Sequence, residues 1–198
     1  VGEVMTDTGQ NTPPATVIMS AESVADATRQ MAREIVAAHD EGDFVLLGIL
    51  RRGRPIADRL GEAIEAMTGV RPRVGSIATT LYRDDIRSGR APTRVPSGNT
   101  HFDFDVNGTN VVLVDAVLYS GRTVRGALDE IMDYGRPARI QLACLIDRGL
   151  RELPIQADYL GKAIGTQPRD HVSVRLAEMD GEDLVLLEPG EPDDSEEE

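Results

Sequence analysis

The sequence predicts an α/β protein with a doubly wound, mostly parallel sheet and a short β-rich part, or hood, at its C-terminal end. Short, continuously apolar runs at residues 44–50, 111–114 and 140–146 are typical of strands that are buried on both faces. Segments with apolar residues at three- and four-residue steps alternate with these runs. This alternation indicates helices that connect parallel strands by right-handed crossovers.

The first helix is predicted to begin after Ser20, a typical N-cap residue, and to end before Gly42. A second helix follows the strand at 44–50, with Pro55 near its first turn. After a β-rich run at 74–81, the strand at 111–114 leads into a third helix. The predicted apolar faces consist of Val24, Ala27, Met31, Ile35 and Ala38 in the first helix, Ile56, Leu60, Ile64 and Met67 in the second, and Val124, Leu128 and Ile131 in the third.

Residues 82–110 have little apolar periodicity and contain several Gly, Pro, Asp and Arg residues. Such a long irregular stretch is more often functional than structural, so we expect a hairpin or a lid there. After the strand at 140–146, short apolar segments at 155–160, 172–176 and 184–187 complete the predicted order.

The length of 198 residues and the composition fit one globular domain. We expect this domain at 17–188, with a flexible lead-in at 1–16 and a disordered acidic tail at 189–198. No apolar stretch approaches the roughly 20 residues of a membrane span, and the acidic start lacks the pattern of a secretory signal. A cytoplasmic protein is therefore expected. The lone Cys144 lies in an apolar run, which predicts a small buried hydrophobe.

The formal net charge of −13 argues against a protein whose whole surface binds nucleic acid, although a local basic patch stays open. Lys162 is the sole lysine among 21 basic residues, so phosphate recognition would depend on guanidinium groups, backbone amides and hydroxyls. The three histidines are scattered, and with one cysteine they offer no zinc spacing. The GxxxxGK[ST], GxGxxG and GxSxG motifs are absent.

The loop LYSGRT, between a predicted strand and a predicted helix, carries the strongest signal for a binding site. The hydroxyls of Ser120 and Thr123, the Gly121 amide and the positive end of a helix are the parts of a phosphate site. The alternative is a tight turn in which Thr123 caps the helix. Asp115 favours the binding site, because an acid at the end of a buried strand can accept from ribose hydroxyls or help to organise Mg²⁺. Its own alternative is a capping or salt-bridged aspartate.

The stretch VVLVDAVLYSGRT resembles the phosphoribosyl-pyrophosphate (PRPP) loop of type I phosphoribosyltransferases, in which an apolar strand, two acids and a [ST]-G-x-T turn follow one another. The segments LGILRRGRPIADRL, TTLYRDDI and GRPARIQLACLIDRGLRELPIQADYLGK are similar to the PyrR family. The similarity covers roughly residues 17–187. Members of that family are pyrimidine-operon attenuation regulators that also act as uracil phosphoribosyltransferases.

The resemblance implies that uracil and PRPP, with Mg²⁺, give uridine monophosphate (UMP) and pyrophosphate. It also implies a homo-oligomer and binding of a pyrimidine-operon leader RNA. Asp115 and Arg52 would be catalytic. The implied PRPP site comprises Arg51, Arg52, Gly53, Asp115, Ala116, Val117, Leu118, Tyr119, Ser120, Gly121, Arg122 and Thr123. The remaining implied groups are a flexible loop with Tyr82, Arg83 and Asp84, a uracil and UMP site with Arg136, Lys162, Ala163 and Ile164, and RNA contacts from Arg29, Arg33, Arg151 and Lys162.

The sequence departs from the family pattern at several of these positions. The family usually has a second acid at Ala116, a basic residue at Leu50 and an acid at Ala78. Losing one charge-assisted hydrogen bond to a sugar hydroxyl costs roughly 1.5–3 kcal/mol, or about 10- to 150-fold in rate. The family also usually has threonine at the position of Arg51 and a basic residue at the position of Gln156. We therefore expect a regulator with weakened transferase activity, and the alternatives are an impaired nucleotide-sensing RNA-binding protein or a relic that binds a partner protein.

Overall fold

The computed structural model describes residues 15–39, 44–79 and 100–190. In chain order, these residues form the strands and helices β1 (Thr16–Met19), α1 (Ala21–Ala38), β2 (Phe44–Ile49), α2 (Gly53–Thr68), β3 (Arg73–Ile77), β4 (Asn110–Leu118), α3 (Arg122–Tyr134), β5 (Arg139–Asp147), β6 (Tyr159–Ala163), β7 (His171–Arg175), α4 (Ala177–Asp180) and β8 (Leu184–Glu188).

The strands form two sheets with different chain directions. The larger sheet is parallel and has the order β3-β2-β4-β5-β6, so β4 lies at its centre. The smaller sheet is antiparallel, with the order β1-β8-β7. We call this smaller sheet together with α4 the hood. The α/β class with a parallel sheet and a β-rich part is thus confirmed, and β1 adds an N-terminal strand to the hood.

Alternation along the central strands separates two apolar cores. On one face, Val112 and Val114 pack with residues of α1 and α2. On the other face, Val111 and Leu113 pack with residues of α3. All six residues of β2 are buried, which agrees with a strand that is covered on both faces. The helices therefore cover both faces of the parallel sheet, as its doubly wound topology requires.

Most of the predicted helix features are confirmed. Ser20 is the N-cap of α1, and its hydroxyl accepts from the Ser23 amide. Met67 is wrong as a core residue, because it lies in the last turn of α2 and is 45% exposed. The segment predicted at 155–160 becomes a strand only from Tyr159, since the preceding residues form the connection between β5 and β6.

Candidate functional site

An open depression lies beyond the carboxyl end of β4. Its lining includes Asp115, Tyr119, Ser120, Gly121 and Thr123. In parallel α/β sheets this edge is where ligands bind, because the loops that follow the strands converge there. We call residues 118–123 the phosphate loop.

Gly121 joins the phosphate loop to the start of α3. Its φ is 92°, in the left-handed region that favours glycine, and a Cβ there would lie 3.3 Å from Ile155. Gly121 is the N-cap of α3 and makes no side-chain capping hydrogen bond. The alternative that Thr123 caps this helix is therefore wrong, since Thr123 lies inside the helix and its exposed side chain lines the depression. The positive end of α3 faces this loop.

Asp115 supplies the carboxyl group among the lining residues. The Ala116 amide donates to its Oδ1 over 2.7 Å, and this bond favours the charged form. Burial acts more strongly and raises the pKa of Asp115 to about 7. Burial and the Ala116 amide account for this pKa, and no basic side chain of the described residues contributes to it, so the alternative of a salt-bridged aspartate is not what the structure shows.

Ala116 faces away from the depression. Its side chain is 4% exposed and belongs to the apolar core that α1 and α2 cover. Consecutive residues of a strand point to opposite faces, so Asp115 and Ala116 cannot present their side chains in the same direction. The contribution of Ala116 to the predicted PRPP site is its backbone amide, which holds the Asp115 carboxyl group.

The connection between β5 and β6 holds the phosphate loop in place. The amides of Glu152 and Leu153 both donate to the Ser120 carbonyl over 3.1 Å. Arg151 donates through Nη1 to the Tyr119 carbonyl over 2.7 Å, and through Nη2 to the Asp147 carboxylate. Polar groups of another segment thus fix the backbone of the phosphate loop before any ligand arrives.

The hydrogen bonds of Arg151 change the interpretation of this residue, which was predicted to contact RNA. The Arg151 side chain is 22% exposed, and Nε and Nη1 also donate to the carbonyls of Ile155 and Gly149. A guanidinium group whose donors are used inside the protein has little left to offer an RNA phosphate. Arg151 is therefore a brace of the phosphate loop and not part of a basic surface.

The segment from Arg51 to Gly53, which we call the pyrophosphate loop, lies between β2 and α2. Gly53 approaches β4 so closely that a Cβ there would lie 2.2 Å from the Val114 carbonyl oxygen. This contact brings the pyrophosphate loop next to Asp115. Arg51 is exposed, whereas Arg52 forms a two-bond ion pair with Asp180 of α4, with Nη1 to Oδ2 at 2.5 Å and Nη2 to Oδ1 at 3.3 Å.

The predicted base site is split by the structure. Lys162 and Ala163 end β6, and the Ile164 amide donates to the Asp147 carbonyl over 2.8 Å, so these residues lie at the carboxyl edge of the sheet. Arg136 lies at the opposite edge, because α3 returns the chain to the start of β5. There its amide donates to Asn107, shortly before β4 begins. The assignment of Arg136 to the uracil site is therefore wrong.

Two charged residues of this region were missed by the sequence analysis. Arg148 directly follows β5 and is 6% exposed; its guanidinium lies 4.3 Å from the centre of the Tyr119 ring and donates to Thr166 and Gln167. Its place after an apolar strand was a usable signal. No sequence signal pointed to Asp180, because it lies 128 positions from Arg52 in the chain.

The other predicted residues have the following positions. Arg29 and Arg33 lie on the exposed side of α1, where Arg29 pairs with Asp26. The Lys162 ammonium group donates to the Ile18 carbonyl of the hood over 3.0 Å. Tyr82, Arg83 and Asp84 lie outside the described residues.

Within the three described segments, no helix has the length and apolarity needed to cross a membrane. The same segments contain no group of three or more His, Cys, Asp or Glu side chains that could hold a metal ion.

Comparison with known sequences gives one consistent family. The sequence model of the phosphoribosyl transferase domain matches residues 16–178. The Bifunctional protein PyrR of Pelotomaculum thermopropionicum is 49% identical over 176 residues, which cover 88% of this chain and 96% of the relative. The Bifunctional protein PyrR of Chloroflexus aurantiacus is 48% identical over 178 residues, which cover 89% of this chain and 97% of the relative.

Solved structures support the fold. A hypoxanthine-guanine phosphoribosyltransferase from Bacillus anthracis matches with a TM-score of 0.65 at 18% identity, covering 87% of this chain and 96% of that one. A hypoxanthine phosphoribosyltransferase from Trypanosoma cruzi matches with a TM-score of 0.67 at 17% identity, covering 87% of this chain and 90% of that one. At these identities the likeness concerns the chain path alone.

Proposed function

Because this chain belongs to the PyrR family of phosphoribosyl transferase domain proteins, we propose that it converts uracil and PRPP into UMP and pyrophosphate and also regulates a pyrimidine operon through its leader RNA. Asp115 beside the phosphate loop is the observation that carries the enzymatic half. A carboxyl group, two hydroxyls and the start of α3 meet in one depression at the carboxyl edge of the sheet.

The reaction requires residues that position the substrates and stabilise charge more than it requires a covalent nucleophile from the protein. Pyrophosphate leaves the anomeric carbon of the ribose, and the sugar carries positive charge in the transition state. Ser120, Gly121, Arg122 and Thr123 would hold the 5′-phosphate, as the loop geometry and the positive end of α3 favour. Asp115 would accept from ribose hydroxyls and stabilise the developing positive charge.

The other ends of the substrates have separate places in this proposal. Arg51, Arg52 and the Gly53 backbone would meet the pyrophosphate group, and Tyr82, Arg83 and Asp84 would close over it. The backbone of Lys162, Ala163 and Ile164 would lie against uracil. Mg²⁺ would arrive with PRPP, where it neutralises charge on the pyrophosphate leaving group.

The regulatory half depends on the surface formed by α1 and the end of β6. Arg29, Arg33 and Lys162 would supply its positive charge, without Arg151. A chain of net charge −13 can bind RNA only through such a local patch. In this proposal the protein acts in the cytoplasm as a homo-oligomer, and UMP in the active site is the signal that changes its affinity for RNA.

Formation of UMP from PRPP and labelled uracil tests the enzymatic half. We expect turnover by the wild-type chain and a loss of at least about tenfold in kcat/KM for Asp115→Asn, because the amide cannot stabilise positive charge. Asp129→Asn is a matched control, since Asp129 is 56% exposed on α3 and pairs with Arg125. Turnover of Asp115→Asn equal to that of the control would contradict the assignment.

Gel-shift titration of the leader RNA, with and without UMP, tests the regulatory half. We expect UMP to strengthen binding, and Arg33→Glu to weaken it about tenfold or more by reversing one charge of the patch. RNA binding with UMP dependence but no turnover would identify the impaired sensor instead. An absence of RNA binding at any UMP concentration would overturn the regulatory proposal.

A further inference from the structure

Three carboxylates in α4 and just before β8 meet two arginines, one at the N-cap of α2 and one in its second turn. Arg52 binds Asp180 through Nη1 and Nη2, and Arg59 binds both Glu178 and Asp183 over 2.6 Å. These pairs connect residues that are more than 100 positions apart. They hold the hood beside the pyrophosphate loop.

The two arginines differ in how firmly they are bound. The Arg59 side chain is 18% exposed and is shared by two acids, and these contacts hold the pKa of Glu178 below its usual value. The Arg52 side chain is 36% exposed and has one acid, Asp180. A solvent-accessible pair of this kind contributes little to stability, so another anion can displace the carboxylate at little cost. The hood would stay attached through Arg59.

The Asp180 carboxylate engages the fork of the Arg52 guanidinium. Both terminal nitrogens donate to it, one to each oxygen. Phosphate oxygens have the same bidentate geometry, so a carboxylate and a phosphate compete for this edge of an arginine. Arg52 is also the side chain that the proposed function places against pyrophosphate.

We propose that Asp180 is an internal competitor of pyrophosphate: the hood carboxylate occupies Arg52 in the ligand-free protein and is displaced when a pyrophosphate group binds the loop. The affinity of the pyrophosphate loop is thereby lowered by a residue of the hood, and binding at the loop releases the ion pair of Asp180 while that of Glu178 with Arg59 stays. This inference rests on the proposed function of Arg52 as a pyrophosphate ligand.

Asp180→Asn can remove the competing charge while the structure of α4 is kept. The Leu176 amide donates to Asp180 Oδ2 over 2.8 Å, and the amide oxygen of asparagine can accept the same bond. Asp180→Ser gives a second variant with a short acceptor in case the first does not fold. The matched control is Glu182→Gln, because Glu182 pairs with Arg175 of β7 over 2.7 Å and, among the described residues, forms no ion pair with Arg52 or Arg59.

Calorimetric titration with magnesium pyrophosphate tests the proposal. We expect Asp180→Asn to bind pyrophosphate about three- to tenfold more tightly than the wild-type chain, and Glu182→Gln to bind like the wild type. Equal or weaker binding by a folded Asp180 variant would overturn the proposal and would make Asp180 a positioning residue for Arg52. If neither wild type nor variant binds pyrophosphate, the proposal is also overturned.

Titration of the same proteins with UMP separates this failure from that of the proposed function. UMP reports on the phosphate loop and does not need Arg52. Binding of UMP with unchanged pyrophosphate affinity in Asp180→Asn rejects the internal competitor alone. An absence of UMP binding in all the proteins, including wild type, rejects the proposed function.

Discussion

The phosphate loop and the pyrophosphate loop lie at the same edge of the sheet but are held in opposite ways. Backbone groups of the phosphate loop receive hydrogen bonds from Arg151, Glu152 and Leu153. The Arg52 guanidinium of the pyrophosphate loop is instead paired with Asp180, a solvent-accessible carboxylate of the hood. The first loop is held by hydrogen bonds within the protein, whereas under our proposal the second exchanges Asp180 for pyrophosphate.

This difference suggests a division of labour. In the proposed function, the preorganised phosphate loop would bind the 5′-phosphate, which is the group that PRPP and UMP have in common. A loop that exchanges its partner suits pyrophosphate, which has to leave after each turnover. Replacing the brace should therefore do more harm than replacing any exposed charge at this edge.

Removal of the brace is expected to have the largest effect. Arg151→Met leaves the Asp147 carboxylate without its cation and frees the Tyr119 carbonyl. Because both side chains are largely buried, we expect the free energy of unfolding to fall by about 2–4 kcal/mol. UMP should bind at least about tenfold more weakly. Urea unfolding and UMP titration measure the two effects.

Arg125→Met is the control for this variant. Arg125 is 61% exposed and lies 3.6 Å from Asp129, so its loss should change the free energy of unfolding by less than about 1 kcal/mol. If both variants unfold at the same urea concentration and bind UMP equally, Arg151 is not a brace and the two loops are held alike.

The next prediction concerns the pH dependence of the free energy of unfolding that Asp115 causes. Asp115 has a folded-state pKa of about 7, above its ordinary value of 3.8. The native state therefore binds more protons than the unfolded state between about pH 4 and pH 7, and its stability falls as the pH rises through this range. We expect Asp115→Asn to be more stable than wild type by a few kcal/mol at pH 8, since each pKa unit corresponds to about 1.4 kcal/mol, and by little at pH 4.

Thermal melting across this pH range measures the difference. Asp129→Asn serves as the control, because this exposed residue should give no such trend. If the stability difference between Asp115→Asn and wild type is constant from pH 4 to pH 8, burial does not raise the pKa of the Asp115 carboxyl group. The depression beside the phosphate loop would then lack an acid that titrates in this range.

Restoring a second acid at position 116 should have a smaller effect, with a loss of stability and a gain of activity. Ala116→Asp places a carboxylate in an apolar core where the present side chain is 4% exposed, so we expect the free energy of unfolding to fall by roughly 1–3 kcal/mol. If the carboxylate reaches the sugar from that face, kcat/KM for UMP formation should rise about tenfold. An unchanged kcat/KM in folded protein would show that this position does not limit the reaction.

Local patterns in the sequence were sufficient for the phosphate loop. The residues of this loop are contiguous. The strand before Gly121 and the helix after it call for a tight turn, and a glycine with a left-handed φ fits that turn. The order of the main helices and strands was predictable for the same reason. The pairing of Arg52 with Asp180 was not, since it depends on how a C-terminal sheet packs against α2.

The error at Arg136 has a different cause. A helix that follows a parallel strand returns the chain to the amino edge of the sheet, so a residue just after α3 lies away from the ligand edge. The topology alone contradicted that assignment. Met67 shows the limit of periodicity, because it continues the apolar spacing of α2 into the last turn and yet is 45% exposed.

The smallest expected effect concerns Glu152, an acid that pairs with the phosphate loop from outside it. Glu152 lies 2.7 Å from Arg122, and both side chains are nearly half exposed, at 48% and 47%. The Glu152 amide would still donate to the Ser120 carbonyl in Glu152→Gln, so the loop should keep its shape. We expect UMP affinity to rise by less than about threefold, and the gain to vanish at high salt, where exposed charges are screened. A tenfold rise in the UMP titration would mean that Glu152 competes for Arg122 as Asp180 does for Arg52, and the contrast between a preorganised loop and an exchanging loop would then be lost.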